Sequence, residues 1–197
     1  MQGSTEYWFP TPIYYSEILD PLVQNKFLAA YNKFIQEDKF QGPKGWNSQL
    51  ISDPSFSSNF IQDNNMEEFS RALDFHIKTY LTTLGSKAAN TPYKMISSWM
   101  TLTKKGGYAH THVHGDADIS GVFYVRTNGK DGSIFFETPN KVSRNSFAFR
   151  HFQQRVTYPP SVGKLILFPG WLEHGVETNT EDYDRVSVSF NLVFERI

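Results

Sequence analysis

The chain has 197 residues, a net charge of −1 and 39% hydrophobic residues, of which the aromatic ones make up 16% of the chain. This composition predicts one folded domain with a substantial core rather than a disordered chain, and the charge balance predicts no nucleic-acid partner. Cysteine is absent, which excludes disulfides, Cys-based zinc sites and thiolate nucleophiles. The sequence carries no signal peptide and no apolar run of membrane-spanning length, so we expect a soluble cytoplasmic protein without a membrane partner.

The first part of the chain carries two segments with helical periodicity. In residues 20–38, apolar residues recur at three- and four-residue steps behind an Asp-Pro pair, which is typical of a helix start. Residues 64–85 show the same spacing, and Gly85 predicts the end of that helix. The intervening residues 40–65 are rich in Ser, Asn, Gly and Pro, which indicates a loop.

Short β-prone runs dominate the chain after about residue 93. Turn signals separate the runs KMISSWMTL, DISGVFYVRT, GSIFFET, GKLILFPG and RVSVSFNLVFERI. This order predicts a mainly β fold with α: a helical and loop part over about 1–92 packs on an antiparallel jelly roll over about 93–197, in a single domain of 1–197. The C-terminal run could be an edge strand, which leaves a homodimer open.

Three histidines lie within five positions just before the second β-prone run. His110, His112 and His114 are spaced two apart, so an extended segment would place all three on one face. His174 follows an apolar strand and is the candidate third ligand that the sheet would bring to the other two. Two histidines on one strand face and a distant third favour a metal site over surface histidines. The remaining two lack a partner pattern and are predicted to lie at the surface or at a helix boundary: His76 and His151.

The last β-prone run alternates polar and apolar residues, so each set lies on its own face. The polar set either faces water or lines an internal pocket, and alternation alone does not choose between the two. Arg185 opens this polar face. Burial of an unpaired guanidinium is prohibitive, so Arg185 either pairs with Glu181, Asp182 or Asp184 or binds an anionic ligand such as a carboxylate.

Three stretches of this sequence, HTHVHGDADISGVFYV, GKLILFPGWLEHGVETN and RVSVSFN, together resemble the Fe(II)/2-oxoglutarate-dependent oxygenase superfamily. The likeness is greatest to a small group of bacterial and phage oxygenase-like proteins with an HxH…SGVYY…FP…H…RxSxSFN signature, and it is strong from about 99 to 194. It implies a double-stranded β-helix that holds iron in a facial triad, with 2-oxoglutarate and O₂ as cosubstrates. The implied reaction hydroxylates an unactivated C–H bond while 2-oxoglutarate is decarboxylated to succinate.

The resemblance also implies residue roles by position. His112 and His174 would be the proximal and distal metal ligands. Arg185 would clamp the far carboxylate of 2-oxoglutarate, with Ser187 hydrogen-bonding beside it. Tyr124 is a further, weaker candidate for the same carboxylate.

The third ligand departs from the superfamily pattern. That pattern is His-x-Asp/Glu, whereas His112 is followed two residues later by His114. Either His114 is itself a ligand, or Asp116 is the ligand and His112 lies outside the coordination sphere. The spacing to the strand at Ser120 favours His114, and Asp116 is kept as the alternative.

Other functions compete with the oxygenase. A cupin shares the fold and a three-histidine metal site, but its first motif needs a Glu where Asp118 stands nearest, and it needs no Arg185. A non-enzymatic jelly-roll module that binds carbohydrate or a protein would not need converging histidines. A three-histidine zinc hydrolase is chemically feasible, but the sequence offers no obvious general base for it. For the oxygenase, the expected partner is a small-molecule or peptidyl substrate.

Overall fold

A computed structural model describes residues 10–42, 49–52, 59–148 and 154–195, so that His151 lies outside the described residues. In chain order, the helices and strands of these ranges are β1 (Tyr14–Glu17), α1 (Pro21–Gln36), β2 (Leu50–Ile51), α2 (Phe60–Asp63), α3 (Glu67–Thr83), β3 (Tyr93–Thr103), β4 (Ala109–His112), β5 (Ile119–Arg126), β6 (Ile134–Glu137), β7 (Arg155–Tyr158), β8 (Lys164–Pro169), β9 (His174–Val176) and β10 (Arg185–Phe194). Two short 3₁₀ segments, Lys87–Asn90 and Lys141–Asn145, connect neighbouring elements. None of the helices in these ranges has the length and apolar composition needed to cross a bilayer.

Helices α1 and α3 lie where the periodicity predicts them. The Asp20 side chain accepts a hydrogen bond from the backbone N–H of Leu22 at 2.8 Å, and Pro21 takes the first helical position, where its missing N–H costs nothing. Helix α3 ends before Gly85, whose φ of +64° is a left-handed conformation that glycine adopts without strain. Local sequence chemistry therefore sets both helix ends.

The strands form two antiparallel sheets. The larger sheet has the order β1-β8-β5-β10-β3-β2, and the smaller sheet has the order β4-β9-β6-β7. Each of the five predicted β-prone runs contains one of these strands. The predicted jelly roll of the double-stranded β-helix type, flanked by N-terminal helices, is confirmed.

The N-terminal part of the chain also contributes strands, which the sequence did not predict. β1 pairs with β8 and β2 pairs with β3, so this part supplies both edges of the larger sheet. The prediction of an irregular loop over 40–65 was wrong where β2 and α2 lie. Both elements are too short to show a period, and α2 is anchored from outside because the N–H of Ile61 donates to the hydroxyl of Ser98.

Two apolar cores lie on opposite faces of the larger sheet. The main core packs α1 and α3 against its outer face, where the Phe69 ring lies 5.1 Å from Phe27 and 4.9 Å from Phe123 between centroids. The second core lies between the sheets and includes Tyr124 and Phe168. Val186, Val188, Phe190 and Leu192 of β10 are fully buried in the main core, so the polar residues that alternate with them face the space between the sheets. The internal-pocket alternative for this polar face is confirmed.

Gly121 in β5 supplies a test of the packing between β5 and β10. A Cβ at this position would lie 2.3 Å from the Phe190 ring and 2.9 Å from the Leu167 side chain. We expect Gly121→Ala to destabilise the fold by about 1–3 kcal/mol, since overpacking forces neighbouring groups to move. Urea unfolding measures the change, with Gly115→Ala as control because a Cβ at Gly115 meets nothing within 4 Å. Equal stability of the two variants would contradict this packing.

Candidate active site

Three histidines converge where β4 ends and β9 begins. His112 ends β4 and pairs directly across the smaller sheet with His174, which begins β9. His114 lies two residues beyond β4, and its backbone N–H donates to the carbonyl of Gly170 at 2.8 Å, which fastens this segment to the end of β8. The candidate ligand nitrogens of the three residues all lie within 4.8 Å of one another. This spacing allows the three side chains to reach one metal ion.

Two neighbours of this cluster lie outside it. The prediction that His110 shares a face with the other two histidines was wrong, because the β4–β9 pairing has an irregularity between Ala109 and His112, and His110 is exposed. Asp116 lies in a turn, is exposed, and is not part of the cluster. The geometry therefore brings together the favoured set with His114 rather than the alternative with Asp116.

Backbone carbonyls orient two of the three imidazoles. Nδ1 of His112 lies 2.7 Å from the carbonyl oxygen of His110, and Nδ1 of His174 lies 2.8 Å from that of Leu172. A carbonyl only accepts, so Nδ1 carries the proton in each neutral ring. The lone pair of both rings is then on Nε2. An N–H hydrogen bond of this kind is the usual support of a metal-binding histidine.

The cluster favours uncharged imidazoles. Burial, together with the charge of neighbouring histidines, lowers the pKa of His174 to about 3 and that of His114 to about 4. Burial also lowers the pKa of His112. All three rings are therefore neutral at pH 7 and offer lone pairs. Imidazole nitrogens suit iron, zinc, copper and nickel, so this donor set fits a transition metal.

The histidines share one cavity with the predicted 2-oxoglutarate residues. A cavity of about 60 Å³ lies between the sheets. All six of the site residues favoured by the sequence line it: His112, His114, Tyr124, His174, Arg185 and Ser187. A space of this size suits a compact ligand, since one water already needs about 10–15 Å³.

Arg185 is buried in this cavity without an acidic partner. Its side chain is 1% exposed, and Nη1 donates to the carbonyls of Asp131 and Gly132, while Nη2 donates to the Thr103 hydroxyl at 3.0 Å. Among the residues that the structure describes, no carboxylate lies within ion-pair distance of the guanidinium, so the proposed pairing with nearby acidic residues does not form. Its Nε is buried and has no hydrogen-bond partner within the described ranges of the chain. An anion in the cavity would supply the missing acceptor and the missing charge.

Tyr124 and Ser187 add neutral polar groups to the cavity wall. They face each other across the β5–β10 pairing, and both are buried. Burial raises the pKa of Tyr124 to about 12, although the charge of Arg185 acts in the opposite direction. The phenol therefore stays protonated at neutral pH and can donate a hydrogen bond.

The structure adds residues that the sequence did not single out. Thr103 and Thr101 lie on β3 directly opposite Arg185 and Ser187, and Gln49 donates to the Thr103 hydroxyl at 3.0 Å. The polar alternation of β3 was a signal for the two threonines. Gln49 precedes a two-residue strand and carried no signal.

Aromatic residues surround the cluster unevenly. Trp99 lines the cavity, and the rings of Phe168 and Phe136 lie 4.6 and 6.0 Å from that of His174. Phe123 belongs to the main core, and Trp171 is 55% exposed. Trp99 thereby brings an indole ring close to His114.

Comparison with known families matches the part of the chain that holds the site. Residues 97–191, just under half of the chain, match the sequence profile of a family described as "Putative 2OG-Fe(II) oxygenase". No curated protein sequence matches the chain.

Solved structures match almost the whole chain. A Pseudomonas putida prolyl-4-hydroxylase is 15% identical, with 95% of this chain and 94% of that chain covered at a TM-score of 0.62. The epimerase SnoN from nogalamycin biosynthesis, solved with Fe³⁺, alpha ketoglutarate and nogalamycin RO, is 14% identical, with 93% and 79% covered at 0.63. A Trichoplax adhaerens prolyl hydroxylase, solved with a hypoxia inducible factor peptide fragment, is 12% identical, with 91% and 83% covered at 0.61. At these identities the likeness shows a shared fold.

The lowered histidine pKa values predict how stability depends on pH. Between about pH 6.5 and pH 3 the unfolded chain takes up protons at His114 and His174 that the folded chain excludes. The metal-free protein should therefore be most stable above pH 6.5 and lose stability as the pH falls through this window. Urea unfolding in the presence of a chelator measures the slope of the unfolding free energy between pH 7.5 and pH 4.5.

His174→Leu removes the most deeply buried of these groups, so its unfolding free energy should depend less on pH than that of the wild type. The exposed His110, replaced by Gln, is the matched control and should leave the slope unchanged. A wild-type slope in His174→Leu would contradict the assignment of the shift to burial.

Proposed function

Starting from the 2OG-Fe(II) oxygenase superfamily, which the family match and the fold support, we propose that this chain is a hydroxylase. It uses Fe(II), 2-oxoglutarate and O₂, and it couples decarboxylation of 2-oxoglutarate to succinate with hydroxylation of a C–H bond. The observation that carries this proposal is the presence, in one cavity, of three neutral histidines and a buried arginine that forms no ion pair with any described residue.

The metal ligands in this proposal are His112, His114 and His174. Their geometry supports the assignment because two of them have Nδ1 hydrogen-bonded to carbonyls, which leaves Nε2 to bind the metal. Their lowered pKa values remove proton competition at neutral pH. Bound Fe(II) and its cosubstrates supply the oxidising chemistry.

The remaining groups of the cavity bind and orient the cosubstrate. Arg185 holds the far carboxylate of 2-oxoglutarate through its planar guanidinium, which can bind both oxygens at once. Ser187 and the neutral phenol of Tyr124 donate hydrogen bonds to the same carboxylate. Apolar side chains of the cavity, including Val122, Ile134 and Phe168, exclude water from the reaction.

The substrate in this proposal is a small molecule or a peptidyl group, the two classes bound in the solved relatives. It approaches the half-buried faces of His112 and His114, because the cavity itself has room only for a compact ligand. A cupin-type metalloenzyme is less well supported, since it leaves the buried charge of Arg185 without a role.

Anaerobic titration with Fe(II) and then with 2-oxoglutarate tests the proposal. We expect a weak visible charge-transfer band on addition of 2-oxoglutarate to the iron-loaded protein. Arg185→Ala should weaken 2-oxoglutarate binding by about 30-fold or more, which corresponds to about 2 kcal/mol, because the ligand carboxylate loses its charged partner. Iron affinity should be retained in this variant.

His174→Ala should lose iron binding, while His110→Ala, an exposed histidine two residues from His112, should behave as the wild type. Iron binding without any response to 2-oxoglutarate would refute the oxygenase and favour the cupin-type site. A protein that binds neither would refute both.

The third ligand is tested by comparing two variants. His114→Ala should reduce iron affinity by more than the roughly 10–100-fold typical of losing an outer-shell partner, because it removes a direct ligand. Asp116→Ala should leave iron affinity within about twofold, since Asp116 is exposed and outside the cluster. Equilibrium competition against a metal-binding dye measures both affinities. The reverse ranking would make Asp116 the ligand.

A further inference from the structure

The guanidinium of Arg185 is held from behind by neutral acceptors. Two backbone carbonyls, those of Asp131 and Gly132, share Nη1, and the Thr103 hydroxyl binds Nη2. These contacts fix the orientation of the planar group but do not neutralise its charge. The turn that supplies both carbonyls therefore decides where the unpartnered Nε lies.

Asp131 stabilises that turn from within. Its carboxylate is fully buried, and it accepts hydrogen bonds from the Thr127 hydroxyl at 2.7 Å and from the backbone N–H of Asn128 at 2.9 Å. These bonds tie the start of the 127–132 turn to the residue whose own carbonyl binds Arg185. The side chain of Asp131 thus binds the start of the turn, and its main-chain carbonyl binds the guanidinium.

The conformation of the turn also requires Gly132. Its φ is +94°, and a Cβ there would lie 2.4 Å from the carbonyl oxygen of Glu177 and 3.1 Å from Nη1 of Arg185. A side chain at this position would push the carbonyl of Gly132 away from the guanidinium of Arg185. The conformation of Asp131 and Gly132 therefore directs both of their carbonyls at Nη1 of Arg185.

The charge of Asp131 acts on Arg185 without an ion pair. Burial lowers the pKa of Arg185, and the nearby Tyr124 and Asp131 act against that shift. The carboxylate oxygens are hydrogen-bonded to Thr127 and Asn128, so they do not compete for Nε. A buried positive charge is partly compensated while its ligand-binding nitrogen stays available.

We propose that Asp131 is a positioning residue for the Arg185 anion clamp. It holds the 127–132 turn so that two carbonyls orient the guanidinium, and it offsets the buried charge without occupying Nε. The inference rests on the proposed function, because the anion that it prepares for is the far carboxylate of 2-oxoglutarate.

Asp131→Asn tests the inference, because it removes the charge and one of the two acceptor oxygens while preserving the size of the side chain. The first readout is the ¹⁵N–¹H NMR signal of the Arg185 Nε–H, assigned by its loss in Arg185→Lys. We expect a distinct, slowly exchanging signal in the metal-free wild type and a shifted, faster-exchanging one in Asp131→Asn.

The second readout is the dissociation constant of 2-oxoglutarate with the iron-loaded protein. In Asp131→Asn this constant should rise about 10-fold, while iron affinity changes less than twofold.

Asp20→Asn is the matched control. Asp20 likewise accepts a backbone N–H bond, at the start of α1, and Asn caps a helix as well as Asp does. We expect wild-type values in both readouts. If Asp131→Asn does not fold, Thr127→Val removes one of the two bonds to the carboxylate and keeps the charge, and it should give a smaller change in the same direction.

The outcomes separate this inference from the proposed function. Folded variants with an unchanged Arg185 signal and unchanged 2-oxoglutarate affinity would overturn the inference alone. Equal losses of iron and 2-oxoglutarate affinity would also overturn it, because Asp131 would then support the whole site. A wild type that binds iron but no 2-oxoglutarate would refute the proposed function, while the Arg185 signal in Asp131→Asn would still decide whether Asp131 positions the guanidinium.

Discussion

The burial of β10 on both faces is the constraint on which the rest of the molecule depends. Its apolar face, including Val186, Val188 and Phe190, is fully buried against the helices. The polar face must then lie between the two sheets, because successive side chains of a strand point to opposite sides. Arg185 and Ser187 are carried into the interior by this alternation. A slip of one residue would place a guanidinium in the main core, so the register is strongly specified.

The charge of the cavity wall is positive, and it comes from Arg185. Three neutral imidazoles bring no negative charge to a metal ion, and Arg185 has no ion-pair partner among the described residues. The buried carboxylate of Asp131 offsets only part of the Arg185 charge, so a divalent metal in this site would leave the cavity with a net positive charge. A dicarboxylate would bring the compensating charge to both ends of the cavity, which is a physical reason for the small anionic cosubstrate in the proposed function.

Backbone geometry provides much of the precision of the site. Carbonyls of His110 and Leu172 set the orientation of two imidazoles, and carbonyls of Asp131 and Gly132 set that of the guanidinium. Strand ends and tight turns expose such groups, since they have no ladder partner there. The site therefore lies where strands end and where the β4–β9 pairing is irregular.

Local sequence patterns predicted much of this structure. Period and capping residues indicated α1 and α3, alternation indicated the two faces of β10, and the spacing of His112, His114 and His174 with Arg185 indicated the candidate site. Elements too short to carry a period, such as β2 and α2, were missed because they depend on contacts with β3. The sequence by itself indicated the candidate metal ligands and the candidate anion-binding arginine. Only the tertiary structure decided that a strand irregularity removes His110 from the cluster, that Asp116 stays outside it, and that Asp131 lies behind Arg185, because these depend on groups brought together from distant parts of the chain.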